Sequence, residues 1–158
     1  MPKIVDHEAH SVDLARRAVR YFSDHGYAGT SMRKVAAYLG QSKSALYHYF
    51  PTKESLFLAC TRQVMARFDA DQVALRGTEE ENLAHLSQVL RQDFATEMAL
   101  IFDYLRGKTR AEIAEDEAMQ LAMMTYRTAF EAIVGEERAN EVMARVFGTL
   151  MIDYLFGR

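Results

Sequence analysis

The chain has 158 residues, 49% of them hydrophobic and 26% charged, which is ordinary for a globular protein with a real core and fits one domain or two small ones. A single cysteine, Cys60, excludes an intrachain disulfide, and no apolar run approaches the roughly 20 residues that a membrane-spanning helix needs. The net charge of −3 is unevenly spread: residues 1–62 hold 9 Lys and Arg against 5 Asp and Glu, whereas residues 63–158 hold 10 against 17.

Residues 1 to about 9 are polar and expected to be loose. From about His10 to His25, Val12, Ala15, Ala18, Val19 and Phe22 recur every three to four residues, the period of an amphipathic helix. Arg16, Arg17 and Arg20 lie on or beside its polar side. Gly26 stops this helix, and Tyr27 is placed to pack back on it. His7, His10 and His25 have no cysteine or carboxylate cluster at metal-binding spacing, so they read as surface residues.

Thr30 or Ser31 can cap a short helix whose Met32, Val35, Ala36 and Leu39 share one face. Gly40 follows at the position where a helix end often needs a left-handed backbone. Ser42 can cap a second short helix through about Phe50, which Pro51 ends by forcing its predecessor out of helical geometry. Thr52 can cap the next helix, with Ser55 where a full capping box has a glutamate. Two short helices at a glycine turn form a helix-turn-helix, whose second helix can enter the DNA major groove. Ser42, Ser44, Tyr47 and His48 offer hydrogen-bonding groups there, Lys43 a cation and Ala45 a small apolar contact, while Leu46 and Phe50 point inward. On these residues alone, a helical hairpin that merely packs stays an equal alternative.

Leu56, Phe57, Cys60, Val64 and Phe68 continue the helical period to about Arg76, with Cys60 as a small core residue. After Gly77, Thr78 and the triplet Glu79–Glu81 start another helix; acidic residues in a first turn suit the helix dipole and imply no binding role. Leu83, Leu86, Val89 and Leu90 mark it. Phe94, Met98, Ile101, Phe102 and Leu105 mark its continuation or successor to near Gly107. Residues 108–117 are charged and fit a loop or a short helix. Met119, Ala122, Met123, Tyr126, Phe130 and Ile133 form a stripe that stops at Gly135. From Glu136 to about Phe156 two apolar rows run side by side, a face wider than one intramolecular neighbour needs. No strand-like alternation, internal repeat, phosphate-cradling glycine loop, metal-ligand spacing or serine–histidine–acid order stands out. No enzyme, cofactor or metal is therefore expected. No signal-peptide pattern opens the chain, and the cytoplasm is the expected compartment.

The run Leu46-Tyr47-His48-Tyr49-Phe50-Pro51-Thr52-Lys53-Glu54-Ser55-Leu56 resembles the signature of the TetR (tetracycline-repressor-like) family of transcription regulators. So do Phe22…Gly26-Tyr27…Thr30-Ser31 and Val35-Ala36…Leu39-Gly40…Ser42-Lys43, and the likeness covers about Ser11 to Cys60. It departs at Gln41, where the family usually has a small apolar residue, and at Ser44, where glycine is common. The resemblance implies an all-α fold: an N-terminal three-helix DNA-binding domain with the helix-turn-helix (1–51) and a C-terminal helical bundle for dimerisation and effector binding (52–158). It implies a homodimeric, sequence-specific regulator on a palindromic operator in double-stranded DNA, a repressor released by a small apolar or amphipathic ligand. The basic first part on an acidic remainder agrees with one end meeting phosphates.

Carried over by position, Ser31, Lys43, Tyr47, His48 and Lys53 look like phosphate or base contacts, with Arg33, Gln41, Ser42, Ser44 and Ala45 placed to join them. An effector pocket would draw on Phe68, Phe94, Met98, Phe102, Met119, Met123, Tyr126 and Phe130, each of which fits plain core more readily, with Glu97, Asp103 or Arg127 fixing a polar head. The two helices around Gly135 resemble the family's four-helix dimerisation element, with Val142, Met143, Val146, Phe147, Leu150, Met151 and Tyr154 at the interface. Ala139, Ala144 and Gly148 would let backbones approach there. Rival readings are a constitutive DNA-binding regulator without effector and a helical dimer whose partner is another protein.

Overall fold

Helix α1 (His7–His25) turns Leu14, Ala15, Ala18, Tyr21 and Phe22 inward. The computed structural model describes the backbone of residues 7–72 and 77–158, and the side chains of these except 69–72. Residues 1–6 and the expected helix end near Arg76 lie outside the described residues. Among those described there are eight helices and no strand: α1, α2 (Met32–Leu39), α3 (Lys43–Tyr49), α4 (Lys53–Gln72), α5 (Glu79–Leu105), α6 (Arg110–Ala114), α7 (Glu117–Val134) and α8 (Glu136–Leu155). The fold class read from the sequence holds.

The helix ends show why the chain breaks where it does. Ser31 caps α2, its hydroxyl accepting from the Lys34 N–H, and Ser42 caps α3 by accepting from Ala45. Between them Gly40 sits at φ 68°, where an L side chain is strained. Its N–H donates to the Ala37 carbonyl and that of Gln41 to the Ala36 carbonyl, the paired closing bonds of a Schellman motif. At the start of α4 the expected incomplete box is complete: Ser55 Oγ accepts from the Thr52 N–H, and Thr52 Oγ1 accepts from the Ser55 N–H. A serine hydroxyl does there what a glutamate usually does. Thr78 with Glu81 and Thr109 with Glu112 form full capping boxes on α5 and α6. Helix α5 is one unbroken helix of 27 residues rather than two.

Two apolar clusters hold the fold. The first joins α1, α2, α3 and the first half of α4, from Leu14 to Cys60, and takes in Tyr104 of α5 and Ala118 of α7. The second joins Met65 of α4 to Leu86, Leu90 and Phe94 of α5, to α7, and to Ala139, Val142 and Leu150 of α8. Helices α4, α5 and α7 therefore contribute to both clusters, and packing runs across residue 51, where the sequence suggests a boundary. Val12, placed by its spacing on the inner face of α1, is exposed, while the neighbouring Leu14 is fully buried. Cys60 is buried and its thiol is pushed up to about 12 by desolvation, as befits a core residue.

Helix α8 corrects the expected interface. Val142 and Leu150 are only 2% and 3% exposed inside the subunit's own second cluster, so they cannot meet a partner. Met143, Val146, Phe147 and Met151 pack half-buried against the same cluster, and the Tyr154 ring lies 6.4 Å from that of Phe94. Of the two rows, Val142 and Leu150 are fully taken up internally, the middle residues are half-buried, and Tyr154 stays exposed. The opposite side of α8 leaves Ala144, Gly148, Ile152 and Leu155 exposed.

Candidate nucleic-acid interface

Leu46, fully buried, and Phe50 anchor α3 in the first cluster. Tyr49 also packs half-buried against that cluster, and the anchorage of this seven-residue helix sends most of its other side chains outward. Ser42, Lys43, Ser44, Tyr47 and His48 are all exposed, and Gln41 and Ala45 are half-buried. Ser42 and Ser44 hydroxyls lie 3.1 Å apart, and the Lys43 ammonium stands 5.6 Å from the Tyr47 ring centroid. Ser31, the cap of the neighbouring α2, and Arg33 on that helix are exposed. Eight of the ten residues read as DNA contacts therefore lie on α2, on α3 or in the turn joining them, and Ser31 caps α2.

Lys53 is the exception. Its ammonium donates to the carbonyls of Tyr27 (3.0 Å) and Thr30 (3.1 Å) and lies 4.1 Å from the Tyr27 ring centroid. Two of its three donors are committed to the α1–α2 loop, which corrects the expectation of a phosphate contact. The loop is gripped from other sides too. The Tyr27 hydroxyl donates to Glu54 at 2.9 Å, and Asp103 of α5 accepts from the Tyr27 and Ala28 N–H groups at 2.7 and 2.8 Å. Gly26 is required beside it: its φ is 73°, and a Cβ there would stand 2.9 Å from Asp103 Oδ2. The sequence offers Asp103 as a residue to fix a ligand's polar head and does not reveal this clamp, because its partners are 75 and 76 residues away.

The Ala28 and Tyr27 N–H groups, with Arg106 beside them, hold the Asp103 carboxyl below its ordinary range. A depressed folded value means stability that is complete above the unfolded value of about 3.9 and lost as the pH falls through the lower folded one. Asp103→Ala is expected to destabilise the protein by about 1–2 kcal/mol at neutral pH, two charge-assisted bonds being lost at a partly exposed site. Denaturant titrations of both proteins at pH 7 and pH 2 would check this, the gap between them closing in acid.

A cleft of ≈ 500 Å³ opens between α1, α4, α5 and α7. Phe68, Met119 and Tyr126 line it, as read from the sequence; Phe22, Phe57, Cys60 and Leu100 do so as well. The other five expected lining residues do not. Phe102 and Met123 are each 53% exposed on the outside, Phe94 and Phe130 are buried in the second cluster, and Met98 packs against it. Arg127 pairs with Glu131 at 2.6 Å on the surface, so of the three expected head-group residues only Glu97 faces the cleft.

Residues 14–60 match the family model described as bacterial regulatory proteins, tetR family. Residues 14–60 are therefore a helix-turn-helix domain of the TetR family. The HTH-type transcriptional repressor AcnR of Corynebacterium diphtheriae is 35% identical over 94 residues, 60% of this chain and 49% of that one. AcnR of Corynebacterium efficiens is 29% identical over 148 residues, covering 90% and 78%. The HTH-type transcriptional regulator RutR of Escherichia coli is 33% identical over 107 residues, covering 68% and 43%. The match to AcnR of C. diphtheriae thus spans about half of that relative's length. Among solved structures, the transcriptional regulator FadR from Bacillus subtilis in complex with stearoyl-CoA superposes with a TM-score of 0.69 at 18% identity, over 93% of this chain and 84% of that one. At that identity the likeness speaks for the fold, a TetR-type helix-turn-helix followed by a helical bundle.

Proposed function

We propose that this chain is a sequence-specific DNA-binding transcriptional repressor that acts as a homodimer and is released by a small molecule held in the α1–α4–α5–α7 cleft. The observation that carries the reading is the outward face of α3: Lys43, Ser44, Tyr47 and His48 project from a helix that Leu46 and Phe50 pin from behind. A short helix held this way, with a cation and polar side chains on its exposed face, can lie in a major groove. The curated relatives named as transcriptional repressors and regulators support it.

The dimer surface we assign is the outer side of α8, where Ala144 and Gly148 allow close backbones and Ile152, Leu155 and Phe156 supply exposed apolar area. An apolar face of this kind marks an interaction site. Two-fold pairing would set two α3 helices about 34–36 Å or a longer helical multiple apart. A ligand would act by binding the spacing that misfits, and only its differential affinity for the two forms could move the equilibrium.

Selection of bound sequences from a random duplex pool tests the reading. The expected result is an enriched inverted repeat, bound with steep salt dependence. Failure to enrich any motif would sink sequence-specific binding, and enrichment of a single unrepeated half-site would sink the dimer.

A further inference from the structure

The cleft contains a feature that a purely apolar effector would not require. Glu97, half-buried on α5, faces into it, and among the described residues its one hydrogen bond to a side chain is from the Tyr126 hydroxyl at a long 3.4 Å. Asp93, one turn earlier on the same helix, also lines the cleft. The basic side chain on the lining is Arg67 of α4, which is exposed; among the described residues no ion pair joins it or any other cation to Glu97 or Asp93. Among the described residues two carboxylates thus face one guanidinium at the rim. A carboxylate withdrawn from water without a cationic partner is costly, and an occupant bearing positive charge relieves that cost.

The rings around it suit the same occupant. Phe68 and Tyr126 meet edge to face at 5.0 Å within the lining, and Phe22 and Phe57 complete an aromatic wall. Aromatic faces attract ammonium groups through the ring quadrupole and pack equally well on hydrocarbon.

We propose that the cleft takes a lipophilic cation, an ammonium head carrying an apolar tail, with the Glu97 carboxylate as counter-charge and the Tyr126 and Phe68 rings against the head. The assignment rests on the reading of this cleft as the effector site. Burial, and Asp93 beside it, raise the Glu97 carboxyl above its ordinary value. Among the described residues the charged or titratable groups facing it are Asp93 on its own helix, Tyr126 on α7 and Arg67 on α4. A permanent cation should therefore bind less well as falling pH protonates Glu97, while a neutral ligand should not respond.

Three probes of equal chain length separate the outcomes: decyltrimethylammonium, decanoate and 1-decanol, each titrated at pH 8 below its aggregation limit and followed by calorimetry. The ammonium is expected to bind about tenfold more tightly than the alcohol, the scale of one partly desolvated cation contact, with decanoate weakest. Glu97→Gln should erase the preference for the ammonium and leave 1-decanol unchanged. The comparison of probes on the unmodified protein stands whether or not that variant folds. Alcohol and ammonium binding alike, or decanoate binding best, would overturn the charge assignment and leave the cleft as an effector site. No binding by any of the three would overturn both.

Discussion

Phe22→Ala is expected to lower stability by about 3–5 kcal/mol, the cost of a large aromatic lost from a close-packed core. The ring is 1% exposed and stands where three parts of the fold meet. It lies edge-on to Phe57 of α4 at 5.5 Å and stacks near Tyr27 of the α1–α2 loop at 5.9 Å. Neither neighbour can collapse into the void freely, because Tyr27 is held by Asp103 and Glu54, and Phe57 is stacked on Tyr104 at 4.1 Å. For a chain of this size each kcal/mol moves the melting temperature by roughly 2–4 °C, so a fall of roughly 6–20 °C should appear in a thermal melt. Loss of under about 1 kcal/mol would mean that the site relaxes fully, against the packing described.

The second large effect concerns DNA. Lys43→Ala should relax preference at one base-pair position of each half-site, at about 1–3 kcal/mol per half-site and so about twice that for a two-fold complex. Lys43 is exposed, and its contact with the Tyr47 ring is long enough to leave the ammonium free for a base edge or phosphate. Lys53→Ala should behave differently from a phosphate-contact variant. Its ammonium is spent on two loop carbonyls, so the variant should lose stability, with the salt slope of DNA binding nearly unchanged. Competition binding over an operator panel at several salt concentrations, with a melt of each protein, reads both. Identical effects of the two substitutions on every sequence would show that the division of roles is wrong.

Local chemistry was the most legible part of the sequence. The caps Ser31 and Ser42, the turn at Gly40 and the outward residues of α3 follow from contacts within a few residues, which spacing reports directly. Ser55 was underestimated only because a hydroxyl was not counted as the reciprocal partner that a glutamate supplies. What escaped was decided over long separations. The carbonyls that bind Lys53 lie 23 and 26 residues earlier, and the amides that bind Asp103 are 75 and 76 away. Periodicity also gives the faces of a helix without saying what covers each. On α8 it found the rows of Val142 and Leu150 correctly as apolar, but the subunit itself uses them. Of the small residues noted for close approach, Ala144 and Gly148 lie on the side left open, whereas Ala139 is buried in the second cluster. The same ambiguity put Phe102 and Met123 in a pocket they do not reach.

One helix touches both the cleft and the loop that leads into the helix-turn-helix. Glu97 and Asp103 stand six residues apart on α5, about 9 Å along its axis at 1.5 Å per residue. A helix this short between two points of attachment acts as a strut: it does not stretch, and its hydrogen-bonded turns resist twisting. Whatever tilts or slides α5 at the cleft therefore drags the Tyr27–Ala28 peptide with it, and two residues later the chain is already turning into Thr30 and the cap of α2.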